Sequence, residues 1–103
     1  MDRIAKLREM LQASPNDSFL RHAMAMEYIK IGDDDAAADL LEALLQQDPG
    51  YVGSYYHIGK LMERKGNNDA AIQWYEEGMR QARSAGDKHA YGELRSAFEE
   101  LTL

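Results

Sequence analysis

The chain contains no cysteine in 103 residues. This absence excludes disulfides, a thiolate metal site and a thiol nucleophile, and it is consistent with a reducing compartment. No apolar run approaches the about 18 residues that would indicate a membrane span. The N-terminal segment Met1–Lys6 is charged and amphipathic, unlike the apolar region of a signal peptide. From these features we expect a cytoplasmic protein that does not bind membranes.

Basic charge is also scarce, since 12 Lys and Arg face 18 Asp and Glu, for a net charge of −6. The excess of acid is concentrated in residues 1–51, which carry 10 acidic and 5 basic residues. An acidic chain without a basic stripe is a poor candidate for binding nucleic acid or an anionic membrane. We interpret the run Asp33–Asp35 as a helix cap with a solvated face, because acids at a helix N-terminus complement its dipole.

Proline is rare, and its two positions, Pro15 and Pro49, lie 34 residues apart. The same spacing separates further pairs: Gly32 and Gly66, Asp35 and Asp69, Ala36 and Ala70, and Ala37 and Ala71. Self-similarity at a fixed period of this size indicates a repeat architecture in which each unit is one supersecondary element.

The apolar residues recur with helical spacing, and no segment alternates as a strand would. They predict six helices over 2–13, 18–31, 34–47, 51–65, 68–84 and 87–101. The predicted buried stripes of the first two include Met10 and Ile31. Short connections force neighbouring helices to lie antiparallel. The predicted fold is therefore all-α, a right-handed stack of antiparallel helical hairpins forming one domain over 1–103.

Residues 18–51 and 52–85 each resemble a tetratricopeptide repeat (TPR), a helix–turn–helix unit of 34 residues. The better copy reads Tyr55-x2-Ile58-Gly59-x2-Met62, then Gly66, then Ala70-Ala71-Ile72-x2-Tyr75. The resemblance implies that 2–13 is the second half of an incomplete earlier repeat. It also implies that 87–101 is a terminal capping helix, which covers an otherwise apolar end of the stack.

Three positions depart from the family pattern. Arg21 stands where the first copy should have an aromatic residue, so we expect the packing there to shift to Phe19 or Leu20. Gly78 replaces the usual late alanine. Arg83 replaces the closing proline, so the fifth helix should run longer than the third.

The resemblance also implies a site, because the first helix of each repeat in this family lines a concave groove that commonly accepts a peptide or a helix of another protein. The candidates on this chain are Phe19, His22, Ala23, Met26 and Lys30 from the first copy, Tyr56, His57, Lys60 and Arg64 from the second, and Tyr91, Leu94 and Arg95 from the last helix. For Met26 and Leu94 the alternative interpretation is plain core.

One subfamily uses Lys, Asn and Arg on these helices to bind C-terminal carboxylates. This chain offers a different set at those positions, namely His22, Met26, His57, Asp87 and Tyr91. Asp87 would repel a carboxylate, so the sequence argues against that clamp.

Enzyme chemistry has little support in the sequence. The three histidines, His22, His57 and His89, lack the further ligands that a transition metal needs. The adjacent pairs Glu76-Glu77 and Glu99-Glu100 point in different directions on a helix and form no paired-carboxylate site. No glycine motif for phosphate is present. We therefore expect no catalytic residue, no metal and no cofactor.

Two functions remain open at this point. The first is a protein-interaction module that binds a protein or peptide partner in the groove. The second is a structural module that associates with itself through the stack ends or the convex face, giving a monomer or a weak homodimer. Trp74 bears on the second, since it either packs internally or projects with Tyr51 or Met79 as an apolar patch.

Overall fold

The computed structural model describes residues 2–103, and Met1, which begins the N-terminal segment considered above, lies outside the described residues. The described part contains no strand. It has six helices and confirms the predicted all-α fold: α1 (Arg3–Ala13), α2 (Ser18–Lys30), α3 (Asp34–Gln47), α4 (Tyr55–Arg64), α5 (Asn68–Ala85) and α6 (Lys88–Thr102). The chain forms two compact units. Unit 1 ends at Asp48 and holds α1 to α3, and unit 2 (Pro49–Leu103) holds α4 to α6.

Asp or Asn side chains begin five of the six helices. Each accepts a hydrogen bond from the backbone N–H three residues later, which satisfies a donor that the first helical turn leaves unpaired. The capping residues are Asp2, Asp17, Asp33, Asn67 and Asp87. The first of the three consecutive aspartates is therefore the cap of α3, and the next two occupy its acidic first turn.

The fourth helix begins later than its apolar pattern predicts. A 3-10 turn over Val52–Ser54 comes first, and α4 starts at Tyr55 without a side-chain cap. The fifth helix has 18 residues against 14 for the third, which agrees with the expectation drawn from Arg83. It ends at Ala85, and the C-cap is Gly86, whose φ of 71° lies in the left-handed region that favours glycine.

Unit 1 is held together by a cluster of Leu7, Leu20 and Met24 between α1 and α2. Met10 is 45% exposed, so its predicted burial is wrong. It lies at the edge of a narrow stripe, because α1 packs mainly on one neighbour, α2. Ile31 is 64% exposed and was also predicted wrongly, since it follows the last residue of α2 as the C-cap and has left the buried face.

At the start of α2, the packing shifts to Leu20, which is 8% exposed, and not to Phe19, which is 67% exposed. Arg21 forms a polar clamp at the position where the family has an aromatic ring. Its guanidinium donates hydrogen bonds to the Pro15 carbonyl oxygen at 2.9 Å and to the side chains of Asn16 and Gln47 at 3.3 and 2.9 Å. These bonds connect the turn between α1 and α2 to the end of α3.

In unit 2 the core is built around two buried tyrosines that need glycines beside them. A Cβ on Gly59 would lie 2.6 Å from Cδ1 of Tyr75. A Cβ on Gly78 would lie 2.6 Å from Cβ of Tyr55 and 2.9 Å from Cδ1 of Leu94. The glycine that replaces the usual alanine at position 78 is therefore required by close packing between helices.

The hydroxyl groups of both tyrosines find acceptors. That of Tyr55 donates to the Pro49 carbonyl oxygen at 2.6 Å, and that of Tyr75 donates to the Glu63 carboxylate. Burial raises the pKa of Tyr75 well above its usual value, and the hydrogen bond to the Glu63 carboxylate raises it further. Unit 2 thus holds its protonated Tyr75 between α4 and α5.

Candidate functional site

An aromatic and basic surface lies on α4. Tyr56 is the centre of it, since the ring of His57 meets the ring of Tyr56 edge-on at 5.7 Å between centroids. The ammonium nitrogen of Lys60 lies 5.5 Å from the centroid of the Tyr56 ring, within cation–π range. These three side chains are half-buried, and Arg64 continues the row as an exposed residue one turn further on. We call Tyr56, His57, Lys60 and Arg64 the α4 surface.

An acidic residue in direct contact with this surface is Glu63 of α4, whose carboxylate lies 3.5 Å from the ammonium nitrogen of Lys60. Burial lowers the pKa of His57, and the Glu93 carboxylate opposes that shift through its charge. The imidazole of His57 is therefore mainly neutral at pH 7. Within unit 2, α6 is in contact with α4.

The three candidates on α6 are Tyr91, Leu94 and Arg95, and they lie on sides of the helix other than that of Glu93. Leu94 is 1% exposed, so the alternative interpretation as core holds for it. The Tyr91 hydroxyl accepts a hydrogen bond from Arg83 of α5 at 2.8 Å, and the guanidinium lies 5.1 Å from the centroid of the Tyr91 ring. Since each helical residue advances by about 100°, Arg95 points about 200° away from Glu93. The structure brings Tyr56, His57 and Lys60 together, whereas Arg95 pairs with Glu99 of its own helix at 3.1 Å.

Glu93 is a surface residue that the sequence reasoning missed, although a signal for it exists. The pattern Tyr55-x2-Ile58 returns as Tyr91-x2-Leu94, 36 residues later rather than 34. The same shift of 36 carries His57 onto Glu93. The longer α5 accounts for the two additional residues, and a search at a strict period of 34 passes over the match.

In unit 1 the candidates all lie on α2. Phe19 and Lys30 are exposed, at the first and last turns of the helix, while His22, Ala23 and Met26 are half-buried between them. Lys30 is 3.5 Å from the carboxylate of Glu27. This carboxylate also pairs with Arg3 of α1 at 3.4 Å.

Clefts border α5, and their linings contain no residue of the α4 surface. One of about 400 Å³ is lined by Gln73, Trp74, Glu77 and Arg80. Trp74 is half-buried and packs on Tyr55 with 6.1 Å between ring centroids, so it takes part in the packing of unit 2 and also borders this cleft. The second, of about 320 Å³, lies at the turn between α5 and α6 and is lined by Ala82, Arg83, Gly86, Asp87, Lys88 and Tyr91.

The surfaces described offer non-covalent contacts. Within residues 2–103, no three or more His, Asp or Glu side chains are grouped so that they could hold a metal ion. Over the same range, no helix combines the length and the apolar character needed to cross a bilayer.

The fold and these surfaces define a class of helical-repeat protein, and comparison with known proteins agrees. The family model of the tetratricopeptide repeat matches residues 32–97. The chain therefore belongs to the tetratricopeptide repeat family. Domains of this family are protein-interaction modules, and they generally act as scaffolds rather than as enzymes.

Individual relatives extend the match over most of the chain. A TPR repeat-containing protein of Pseudomonas aeruginosa is 32% identical over 98 residues, covering 95% of this chain and 93% of that protein. The crystal structure of a tetratricopeptide repeat domain protein from Salinibacter ruber is 41% identical and has a TM-score of 0.81, covering 84% of this chain and 96% of that one. The solution structure of a protein from Bordetella parapertussis is 28% identical and has a TM-score of 0.84. The match covers 99% of this chain and 89% of that one.

Proposed function

We propose that this chain is an adaptor, and that each of its two units offers a contact face of its own for a peptide or a helical segment of another protein. On α4 the contacts are assigned to the α4 surface. On α2 they are assigned to Phe19, His22, Met26 and Lys30. Tyr91 and Arg95 are left out of this proposal, because Arg83 already engages Tyr91 and Glu99 already pairs with Arg95.

The observation that carries the proposal is the arrangement around Tyr56, which has the cation of Lys60 and the ring of His57 against it. Aromatic residues are enriched at protein interfaces, because they bury a large area with little loss of conformational freedom. Half-buried rings beside flexible cations suit an occupant with both apolar and acidic side chains.

The test is affinity capture from native lysate with the wild-type chain and with a Tyr56→Ala, Lys60→Ala double variant. Loss of a captured protein in the double variant supports the proposal. A matched Gln73→Ala, Arg80→Ala double variant on α5 should capture the same protein as wild type. Capture that survives the first double variant and fails with the second would move the site to α5 and reject the α4 surface. Circular dichroism should verify that both variants remain helical.

Self-association is the second candidate, and the cleft beside Trp74 is the observation that favours it. A half-buried tryptophan next to a cleft of about 400 Å³ can accept an apolar side chain from a second copy. Sedimentation across a range of concentrations distinguishes the two functions. A strict monomer at high concentration eliminates this candidate, and a dimer that Trp74→Ala dissociates would support it.

The cytoplasmic location expected from the sequence is part of the same proposal. The lack of cysteine supports it. Cell fractionation followed by immunoblotting of the native protein is the direct test.

A further inference from the structure

Two clefts between α5 and α6 of unit 2 meet at the pair Arg83 and Tyr91. Both residues border the cleft of about 320 Å³ at the turn between the helices, and both also border a smaller cleft of about 180 Å³. The smaller cleft contains Met79, which precedes Arg83 on α5, and the larger contains Gly86, which follows it. The clefts therefore lie on opposite sides of the pair. We call the two clefts, with Arg83 and Tyr91 between them, the α5–α6 furrow.

The side chain of Arg83 is held in place, but its charge is not matched by an acid. Its guanidinium donates a hydrogen bond to the Tyr91 hydroxyl at 2.8 Å and lies 5.1 Å from the centroid of the ring. Within residues 2–103 no carboxylate pairs with it. A guanidinium has several N–H donors, so the others remain available to an acceptor from another molecule. Because Tyr91 already restricts this side chain, binding costs less conformational entropy than it would for a free arginine.

Further donors at the furrow lack an acceptor. The Tyr91 hydroxyl accepts a hydrogen bond from Arg83, and its own proton finds no acceptor in the described part of the chain. Lys88 lines the larger cleft, is exposed, and makes no ion pair or hydrogen bond with any described side chain. Two cations and a hydroxyl thus border one cleft, and a carboxylate from a partner would supply the acceptor that they lack.

Two acidic residues in the lining restrict where an anion can lie. Asp87 borders the larger cleft, but its carboxylate accepts the backbone N–H of Ala90 at 3.0 Å, and the N-terminus of α6 partly compensates its charge. Glu76 borders the smaller cleft and precedes Arg83 by about two helical turns, roughly 10 Å along the axis. An acidic group is therefore favoured at Arg83 and disfavoured towards Glu76, where an apolar side chain can still contact Met79.

We propose that the α5–α6 furrow is a second docking site, which binds an extended protein segment with one acidic side chain between two apolar ones. The carboxylate accepts hydrogen bonds at Arg83 and Tyr91, and one apolar side chain enters the cleft on each side of this pair. Every second side chain of an extended segment lies on the same face, about 7 Å from the next, so the pattern apolar-x-acidic-x-apolar fits this arrangement. A protein segment is the occupant because domains of this family are protein-interaction modules. The site shares no residue with the surfaces proposed above on α4 and α2.

The test uses four synthetic peptides, each titrated into the full chain and followed by amide NMR shifts, which also give the dissociation constant. The first has the core Leu-Ser-Glu-Ser-Leu between Gly-Ser flanks. In the second and third, Gln or Lys replaces the Glu, and in the fourth, Ala replaces both Leu. The Glu peptide should bind about tenfold more tightly than the Gln peptide, because it accepts hydrogen bonds as a charged group. The Lys and Ala peptides should also bind more weakly, and the shifts should fall on α5 and α6 around Arg83 and Tyr91.

Variants of the furrow identify the groups that contact the carboxylate. Arg83→Gln should weaken the Glu peptide about tenfold and leave the Gln peptide nearly unchanged, because the charge is lost while a polar side chain stays. Tyr91→Phe keeps the ring and removes the hydroxyl, so it should weaken the Glu peptide by a smaller factor. Arg8→Gln on α1 is the matched control, since it removes the same charge from another exposed position, and binding should stay as in wild type. Circular dichroism should verify that all three variants remain helical.

The proposal is overturned if the Glu peptide does not bind, or if the Gln peptide binds equally well. It is also overturned if Arg83→Gln weakens binding no more than Arg8→Gln does, or if the shifts fall on the α4 surface. None of these results would contradict the function proposed above, whose test is the capture experiment with the Tyr56→Ala, Lys60→Ala variant.

Discussion

The ring of Tyr75 covers Gly59, so that a Cβ on Gly59 would lie 2.6 Å from Cδ1 and Cζ of the ring. Tyr75 is fully buried and its hydroxyl donates to Glu63 on the same helix as Gly59. The glycine, the ring and the carboxylate together set how closely α4 and α5 approach. The orientation of α4, and hence of its outer surface, depends on this contact.

We predict that Gly59→Ala destabilises the chain by about 1–3 kcal/mol despite the better helix propensity of alanine, because the buried ring cannot move without disturbing the core. Urea unfolding measured by circular dichroism is the test. Gly53→Ala is the control, since a Cβ there has no neighbour within 4 Å, and it should change stability much less. Equal stability of the Gly59→Ala variant and wild type would show that the ring relaxes freely.

Replacing the glycines inside α5 and α6 by alanine should change the stability of the fold in opposite directions. Gly92→Ala should stabilise the fold by about 0.5–1 kcal/mol, because it relieves the helix-propensity cost of glycine without a clash. Gly78→Ala should destabilise it, because the new Cβ would lie 2.6 Å from Cβ of Tyr55. Thermal melts of the two variants test the pair, and a change of the same sign in both would contradict the packing described here.

Tyr75→Phe should lower the free energy of unfolding by about 1–3 kcal/mol at pH 7, because it removes the hydrogen bond to a charged acceptor. The folded chain raises the pKa of Tyr75 above the unfolded value of 10.0. The Tyr75 hydroxyl therefore makes its full contribution to stability below about pH 10. That contribution is lost as the pH rises further, because the unfolded state then releases the proton that the folded state keeps. Unfolding of wild type and Tyr75→Phe at several pH values tests this, and the difference between them should narrow above pH 10. A difference that grows with pH would reverse the sign argued here.

Leu41 and Phe19 should separate stability from binding. Leu41 is fully buried, and Leu41→Ala should cost about 2–5 kcal/mol through lost transfer free energy and a cavity. Phe19 is 67% exposed, so Phe19→Ala should leave stability nearly unchanged while weakening capture of a partner. Denaturant midpoints together with affinity capture measure both effects. A large loss of stability in Phe19→Ala would mean that the side chain belongs to the core of unit 1.

Much of the fold follows from short-range patterns in the sequence. The period of 34, the Asp and Asn caps and the glycines at helix ends predict six helices and the tetratricopeptide repeat family, because caps and turns act within four or five residues of the chain. Arg83 in place of the closing proline even predicts the longer α5. Such local signals do not depend on which helices become neighbours.

Other features depended on the tertiary structure. Phe19 and Leu20 are adjacent and similarly apolar, yet only Leu20 is buried, since the rotation of α2 against α1 decides between them. The rotation of α6 likewise buries Leu94, which the resemblance offered as either groove or core, and brings Tyr91 against Arg83 of α5. Gly78 and Gly92 look alike in the sequence, but only Gly78 meets a neighbouring side chain. The sequence by itself thus determined the helices and the family, and only the packing of the helices decided which side chains lie inside and which share a surface.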